Sequence, residues 1–229
     1  MRWVLSIINA MSLAAFLLCM SIQIPAFNRP FYSAEYDKHS VPQSIQVDKA
    51  DLMQVTEKLL NYMSDAEDDL VVTAEVAGES REFFNAREKQ HMVDVKNLIL
   101  LMFSARNLSL AVTALTFAAL FFLRGKSMAA LMRTWQVFFI SFLIVAASLI
   151  IFIASDFDRA FTLFHELFFS NDLWILDART DLLVNIVPIG FFTDIAAFIG
   201  SIFAGLTAIL ISASSVALKL MKGKNISAK

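Results

Sequence analysis

Four long apolar stretches, separated by polar blocks, divide this chain from end to end. Trp3 to Ile24 carries no charged residue and is long enough to cross a hydrocarbon core of ~30 Å at about 1.5 Å per residue. The same pattern predicts spans at 98–123, 135–155 and 189–218, with helix 1 assigned to 1–24. Between and beyond them lie 25–97, 124–134, 156–188 and 219–229. No A-x-A-like cleavage site follows the first run, so it reads as a retained span and not a signal peptide. The predicted fold class is an all-α polytopic membrane protein with four transmembrane helices and a small mixed α/β cap outside the membrane.

The polar blocks have patterns of their own. Residues 25–48, with Pro25, Pro30 and Pro42 among aromatic residues, read as irregular chain at the interface. Asp48 is the expected N-cap of a helix to about Met63, whose Leu52, Val55, Leu59 and Leu60 share a face. Leu70 to Val76 and Arg81 to Phe84 read as a hairpin closed by Ala77-Gly78-Glu79-Ser80. From Phe84 a helix is expected to run without a break into the second span, with Arg87, His91, Asp94 and Leu98 on one face. Phe157 to Trp174, drawn as a helix, aligns Phe157, Phe161, Phe164 and Phe168 in one stripe. Asp158, Arg159, Thr162 and Glu166 fall opposite, and His165 lies at the seam. Such a helix lies along a membrane surface with its phenylalanines in the lipid and its imidazole near the depth of lipid ester bonds.

Composition agrees and charge orients. The chain is 58% hydrophobic and 17% charged, with 22 phenylalanines and a mean hydropathy of +0.64, which excludes an ordinary soluble domain. Every Asp and Glu except Asp194 falls in 35–96 or 156–181. Arg2, the group Arg124, Lys126 and Arg133, and the group Lys219, Lys222, Lys224 and Lys229 flank the remaining span ends without acidic company. The positive-inside rule then puts both termini and 124–134 in the cytoplasm, and 25–97 and 156–188 outside the plasma membrane. Arg106 and Asn107, two to three turns inside the second span, must face the protein interior or snorkel outwards.

Most candidate motifs fail on inspection. Gly125-Lys126-Ser127 lacks the upstream glycine of a P-loop, and no G-x-S-x-G elbow is present. His165-Glu166-Leu167-Phe168-Phe169 has phenylalanine where a zinc protease needs its second histidine. The single cysteine, Cys19, reads as apolar filler. His39 is expected in an exposed loop. His91 and His165 differ from it, because both sit at the outer ends of membrane segments. Two imidazoles at one depth are suited to acid–base chemistry near neutral pH. Asp94, three residues after His91, is a candidate to orient its ring.

Two motifs carry a resemblance. Phe84-Asn-Ala-Arg87-Glu88-Lys-Gln-His91-Met92-Val-Asp94-Val95-Lys96 and Phe161-x-x-Phe164-His165-x-x-Phe168-Phe169-x-Asn171-Asp172-x-Trp174, followed by Asp181 and Pro188, resemble the signatures of the lipoprotein intramolecular transacylase (Lit) family of Gram-positive bacteria. The resemblance covers nearly the whole chain, 30–50 excepted. It implies a membrane enzyme that moves the sn-2 acyl chain of a lipoprotein's diacylglyceryl-cysteine to that cysteine's own α-amine, leaving the lyso form. It further implies catalytic histidines at His91 and His165, an extracellular cap, and a site between cap and membrane domain. Arg87, Asp94, Asn171 and Asp172 are supporting candidates, and Phe161, Phe164, Phe168 and Trp174 are candidates to bind the acyl chains. No cofactor, metal or nucleic acid is called for; the expected partners are a diacylated lipoprotein and the bilayer. Two alternatives stand beside this reading. One is a non-catalytic protein whose cap binds a partner, and the other a metal-dependent lipid hydrolase built on His91, Asp94, His165 and Asp172.

Overall fold

The computed structural model describes residues 1–123 and 126–227. Arg124 and Gly125 of the expected basic loop, and Lys229 of the tail, lie outside the described residues. The elements are α1 (Arg2–Ala26), α2 (Arg29–Lys38), α3 (Val41–Ile45), α4 (Lys49–Met63), β1 (Thr73–Val76), β2 (Glu79–Glu82), α5 (Ala86–Phe122), α6 (Lys126–Ser155), α7 (Phe157–Phe168), α8 (Leu182–Ile186) and α9 (Ile189–Ser227). Among the described residues α1, α5, α6 and α9 are long and apolar enough to cross a membrane. The chain divides into two compact units, 1–23 with 103–151 and 198–229, and 24–102 with 152–197.

The first unit is built inside out relative to a soluble bundle. Leu108, Leu115 and Phe122 recur every seven residues on α5 and are exposed, as are Val137, Ile144 and Ile151 on α6. The polar groups are inside. Asn9 is fully buried; its Nδ2 donates to Thr113 O and Thr116 Oγ1, both at 2.9 Å, while Trp135 Nε1 donates to its Oδ1 at 3.0 Å. Gln136 Nε2 donates to Ser215 Oγ at 2.8 Å. Side-chain hydrogen bonds of this kind hold helices together where lipid removes the hydrophobic drive between them. Arg106 is satisfied within the unit by the amide oxygens of Gln23 and Asn107.

The second unit has a water-type core. Tyr36, Val41, Leu52, Val55, Phe83, Phe84 and Ile186 are among its buried residues, drawn from α2, α3, α4, α8 and the chain entering α5. Asp48 caps α4 as expected, its carboxylate accepting from Ala50 N at 2.7 Å. The hairpin is present with a shorter turn than expected. Ala77 and Gly78 both have positive φ (55° and 83°), as a two-residue turn of the mirrored type requires, so Glu79 and Ser80 pair in β2.

Other boundaries depart from the sequence reading. The expected irregular chain of 25–48 holds α2 and α3. Pro30 and Pro42 each stand in a first helical turn, where a missing N–H costs nothing, and Asn28 Oδ1 caps α2 by accepting from Phe31 N at 3.0 Å. The expected loop 124–134 is helical from Lys126, because no proline or glycine follows Gly125 to stop α6 from starting there. The fourth helix runs on past Leu218 to Ser227. His39 is not an exposed loop residue; it ends α2, half-buried beside Glu35 and Asp194.

Asn9→Ala is expected to lower the thermal stability of the purified protein in detergent by about 1–2 kcal/mol, because it strands three partners across α1, α5 and α6. Ser148→Ala, which removes one exposed bond within α6, is expected to leave the melting temperature unchanged.

Candidate functional site

The two histidines come from different parts of the chain and meet in the second unit. His91 stands in the second turn of α5, and His165 in the last turn of α7; both are buried. Their ring centroids are 5.9 Å apart, with 38° between the planes. Asp156 starts α7 by accepting from Arg159 N at 3.1 Å. The helix stops at Phe168, where Phe169 turns extended, so the expected continuation to Trp174 does not occur. That break folds the following chain back over His165.

Aromatic rings enclose the pair. The His165 ring lies 4.0 Å from that of Phe161, 5.3 Å from Phe164 and 5.6 Å from Phe169, and Trp174 stacks on it at 4.8 Å and 27°. Phe169 also meets His91 edge-on at 5.3 Å. Phe168 does not share this role. With Leu163, Phe164 and Leu167 it forms an exposed apolar face of α7, the side suited to lipid.

Hydrogen bonding sets the imidazole of His165. Its Nδ1 lies 2.7 Å from Phe161 O, which assigns the ring proton to Nδ1 and leaves Nε2 with a bare lone pair. Burial holds this imidazole below its ordinary pKa, and the bond to Phe161 O offsets that only in part. His91 is different: its buried Nδ1 has no hydrogen-bond partner. Asp94 does not orient it as expected, because its carboxylate is turned to the chain after α7, where Asn171 Nδ2 donates to it at 2.9 Å.

The other supporting candidates hold that same turn in place. Asn171 Oδ1 accepts from Leu173 N at 3.0 Å, and Asn171 O accepts the Trp174 indole N–H at 2.9 Å, which fixes the ring stacked on His165. Arg87, one turn before His91, donates to Ile175 O at 3.2 Å and to Asp172 O, while the exposed Asp172 carboxylate is 3.9 Å from its guanidinium. Arg87 and Asp94 thus lash 171–175 to α5.

A second tie was not read from the sequence. Asn85 Oδ1 accepts from Glu88 N at 3.0 Å and Glu88 Oε2 accepts from Asn85 N at 2.7 Å, a reciprocal cap on α5. Glu88 is 1% exposed, and its other oxygen accepts from Leu183 N at 2.6 Å. Asn85 Nδ2 donates to Asp181 Oδ1 at 2.8 Å. Asp181 is buried, which would raise its carboxyl, but hydrogen bonds from Asp177 N, Thr180 and Asn85 hold it below the ordinary carboxylate range. The signal was available in Asn85-x-x-Glu88, the spacing of a capping box. Phe169 could not be found from the stripe, since it acts only because α7 ends before it.

The donor atoms of His91, Asp94, His165 and Asp172 do not converge as one ion's ligands would; among the described residues such a group forms only at Glu35, His39 and Asp194. What the histidine site offers instead is two buried imidazoles, one with a defined acceptor nitrogen, in an aromatic enclosure.

The chain matches the family described as lipoprotein intramolecular transacylase Lit over residues 7–192. It is similar in fold to the membrane integral lipoprotein intramolecular transacylase Lit from Bacillus cereus. The TM-score is 0.78 at 21% identity, over 99% of this chain and 98% of that one. Two variants of the same Bacillus cereus protein, each with one histidine replaced, are also similar. The arginine form has a TM-score of 0.73 at 19% identity, over 100% of this chain and 95% of that one. The alanine form has 0.75 at 20%, over 97% and 96%. No functionally curated protein matches the chain in sequence.

Glu88→Gln is expected to loosen the second tie, since an amide can meet only one of the two N–H donors with oxygen. The cost is roughly 1–3 kcal/mol. Hydrogen exchange read by mass spectrometry should show residues 181–186 losing protection while α4 keeps its own.

Proposed function

The chain belongs to the lipoprotein intramolecular transacylase family, Lit, and from that premise we propose that it moves the sn-2 acyl chain of a lipoprotein's diacylglyceryl-cysteine to the α-amine of that cysteine. The observation that carries the reading is the pairing of two buried imidazoles, one with its acceptor nitrogen defined, inside an aromatic enclosure. In the proposed reaction the α-ammonium gives up one proton and attacks the sn-2 ester carbonyl. The C–N bond forms as the carbonyl oxygen takes up negative charge. The bond from carbonyl carbon to glyceryl oxygen then breaks, and a second proton passes from nitrogen to the leaving oxygen. One proton is released overall, an ester becomes an amide, and no cofactor or energy source enters the balance.

His165 Nε2 is suited to take the proton from nitrogen, because its tautomer leaves that lone pair bare. The bond from Nδ1 to Phe161 O supports the imidazolium that results. His91, pushed down to about 4 by burial and by the neighbouring His165, starts neutral and would pass on to the glyceryl oxygen a proton relayed from the nitrogen. Phe161, Phe164, Phe169 and Trp174 would confine the acyl chains, and holding donor and acceptor together can be worth up to roughly 7–11 kcal/mol. The exposed face of Leu163, Phe164, Leu167 and Phe168 would set α7 in the interface, so that the substrate's esters arrive at the depth of the histidines. The acid-free basic segments support termini in the cytoplasm and a site at the extracellular face of the plasma membrane.

The test is the mass spectrum of the N-terminal peptide of a lipoprotein made in a host without other N-acylating enzymes. Wild type is expected to convert diacylglyceryl with a free amine into N-acyl with monoacylglyceryl at unchanged total mass. His91→Ala and His165→Ala should each lower the rate by roughly a hundredfold or more. A wild-type protein that is well expressed and leaves the diacylglyceryl form intact would falsify the reading.

The acidity of His165 sets a pH profile. Its depressed pKa keeps it neutral at and above pH ~7, so it should add no step to single-turnover rates there, where the substrate's own α-ammonium (pKa about 7.7–8.0) titrates. They should fall as pH drops through a midpoint below about 6.5, the ordinary imidazole value. The absence of a limb below pH ~6.5 would contradict His165 as the base.

A further inference from the structure

Away from the histidine pair, a second group of metal-binding side chains converges where α2 ends against the first turns of α9. Glu35 and His39 stand at i and i+4 on α2 and present their side chains to one side. Asp194 reaches them from α9. His39 Nε2 lies 3.2 Å from Glu35 Oε2 and 3.5 Å from Asp194 Oδ2, and one ligand atom from each residue fits within 4.8 Å of the others. A tetrahedral ion bound at about 2.0–2.1 Å holds its ligands roughly 3.3–3.4 Å apart, so two edges of the triangle already have the right length.

The seat is built and not merely a surface encounter. Glu35 is 7% exposed, and among the described residues its carboxylate has no hydrogen-bond partner outside the cluster. The His39 ring lies against the backbone at position 190, where an added Cβ would fall 2.2 Å from its Cε1, so only glycine admits the ring there. One imidazole and two carboxylates make a borderline donor set that suits zinc better than magnesium or calcium. Lys38 already sets its ammonium against Asp194, but its side chain is 53% exposed and free to swing into water.

We propose that Glu35, His39 and Asp194 bind one zinc ion that fastens the end of α2 to the start of α9, with water in the fourth position and Lys38 as the competing cation. The ion is structural and separate from the transacylase reading. It would reinforce a junction otherwise held by Phe31 and Tyr32 against Phe191, whose ring centroids are 5.5 and 5.1 Å away.

The full chain, purified in detergent and stripped with a chelator, would be dialysed against zinc chloride. Its metal content and melting temperature would then be read. Wild type should retain about one zinc per chain and melt roughly 5 °C higher at zinc well above its Kd. His39→Ala and Asp194→Asn should lose both effects, and His91→Ala should keep both. Lys38→Ala removes no ligand and should bind zinc several times more tightly. A wild type that retains no zinc overturns the proposal, and so does binding that survives His39→Ala. Loss of binding in His91→Ala would put the ion elsewhere, and unchanged or weaker binding in Lys38→Ala would leave Lys38 no competing role; either result also overturns it.

Discussion

The buried carboxylate of Glu88 is the interaction on which the histidine site depends. Burial pushes the carboxyl of Glu88 up, and at 1% exposure its two oxygens must be met, which Asn85 N and Leu183 N do while partly offsetting that rise. Those donors belong to segments far apart in sequence. One opens α5, which carries His91; the other follows the turn that holds Trp174 against His165. Arg87 and Asp94 add weaker ties to the same turn, through Ile175 O, Asp172 O and Asn171. The tie through Glu88 is buried and those through Arg87 and Asp94 are exposed, so the join between α5 and 181–186 is the firmer of the two.

The two units answer to different solvents, and their polar groups follow. In the first, Asn9, Thr113, Thr116 and Trp135 turn inward to one another, and leucines and isoleucines turn out. In the second, Tyr36, Leu52 and Phe84 are inside and the charged residues of 65–69 and 79–82 lie mostly at the surface. α7 belongs to neither pattern. It buries His165 on one side and exposes Leu163, Leu167 and Phe168 on the other, as an element made for the boundary between water and lipid would.

The four spans were legible because a membrane helix needs only length and apolarity, and both are local properties of a sequence. The Asp48 cap and the hairpin were legible for a similar reason, since each rests on a few adjacent residues. The helices within 25–48 were not, because Pro30 and Pro42 were read as breakers when each stands in a first helical turn. His91 and His165 could be picked out by where their segments end, but their partners could not. Asp94 is three residues from His91 and yet bonds Asn171, a choice made by tertiary approach. His39 looked like loop because Asp194 lies so far along the chain. Phe169 looked idle because a stripe drawn past Phe168 assumes a helix that has already stopped.

That early stop is what turns a surface helix into a site. Had α7 continued, Phe169 would have taken the position one turn above His165, and the chain would have carried Trp174 away. Instead the backbone extends at Phe169, Asn171 catches its own turn, and Trp174 returns to stack on the imidazole. Four rings then surround the imidazole, and none of them offers Nε2 a hydrogen-bond donor. An aromatic enclosure of this kind suits the proposed reaction: water at the ester would hydrolyse it, whereas the substrate's own amine forms an amide. The enclosure that lowers the basicity of His165 is thus the same feature that would keep acyl transfer ahead of hydrolysis.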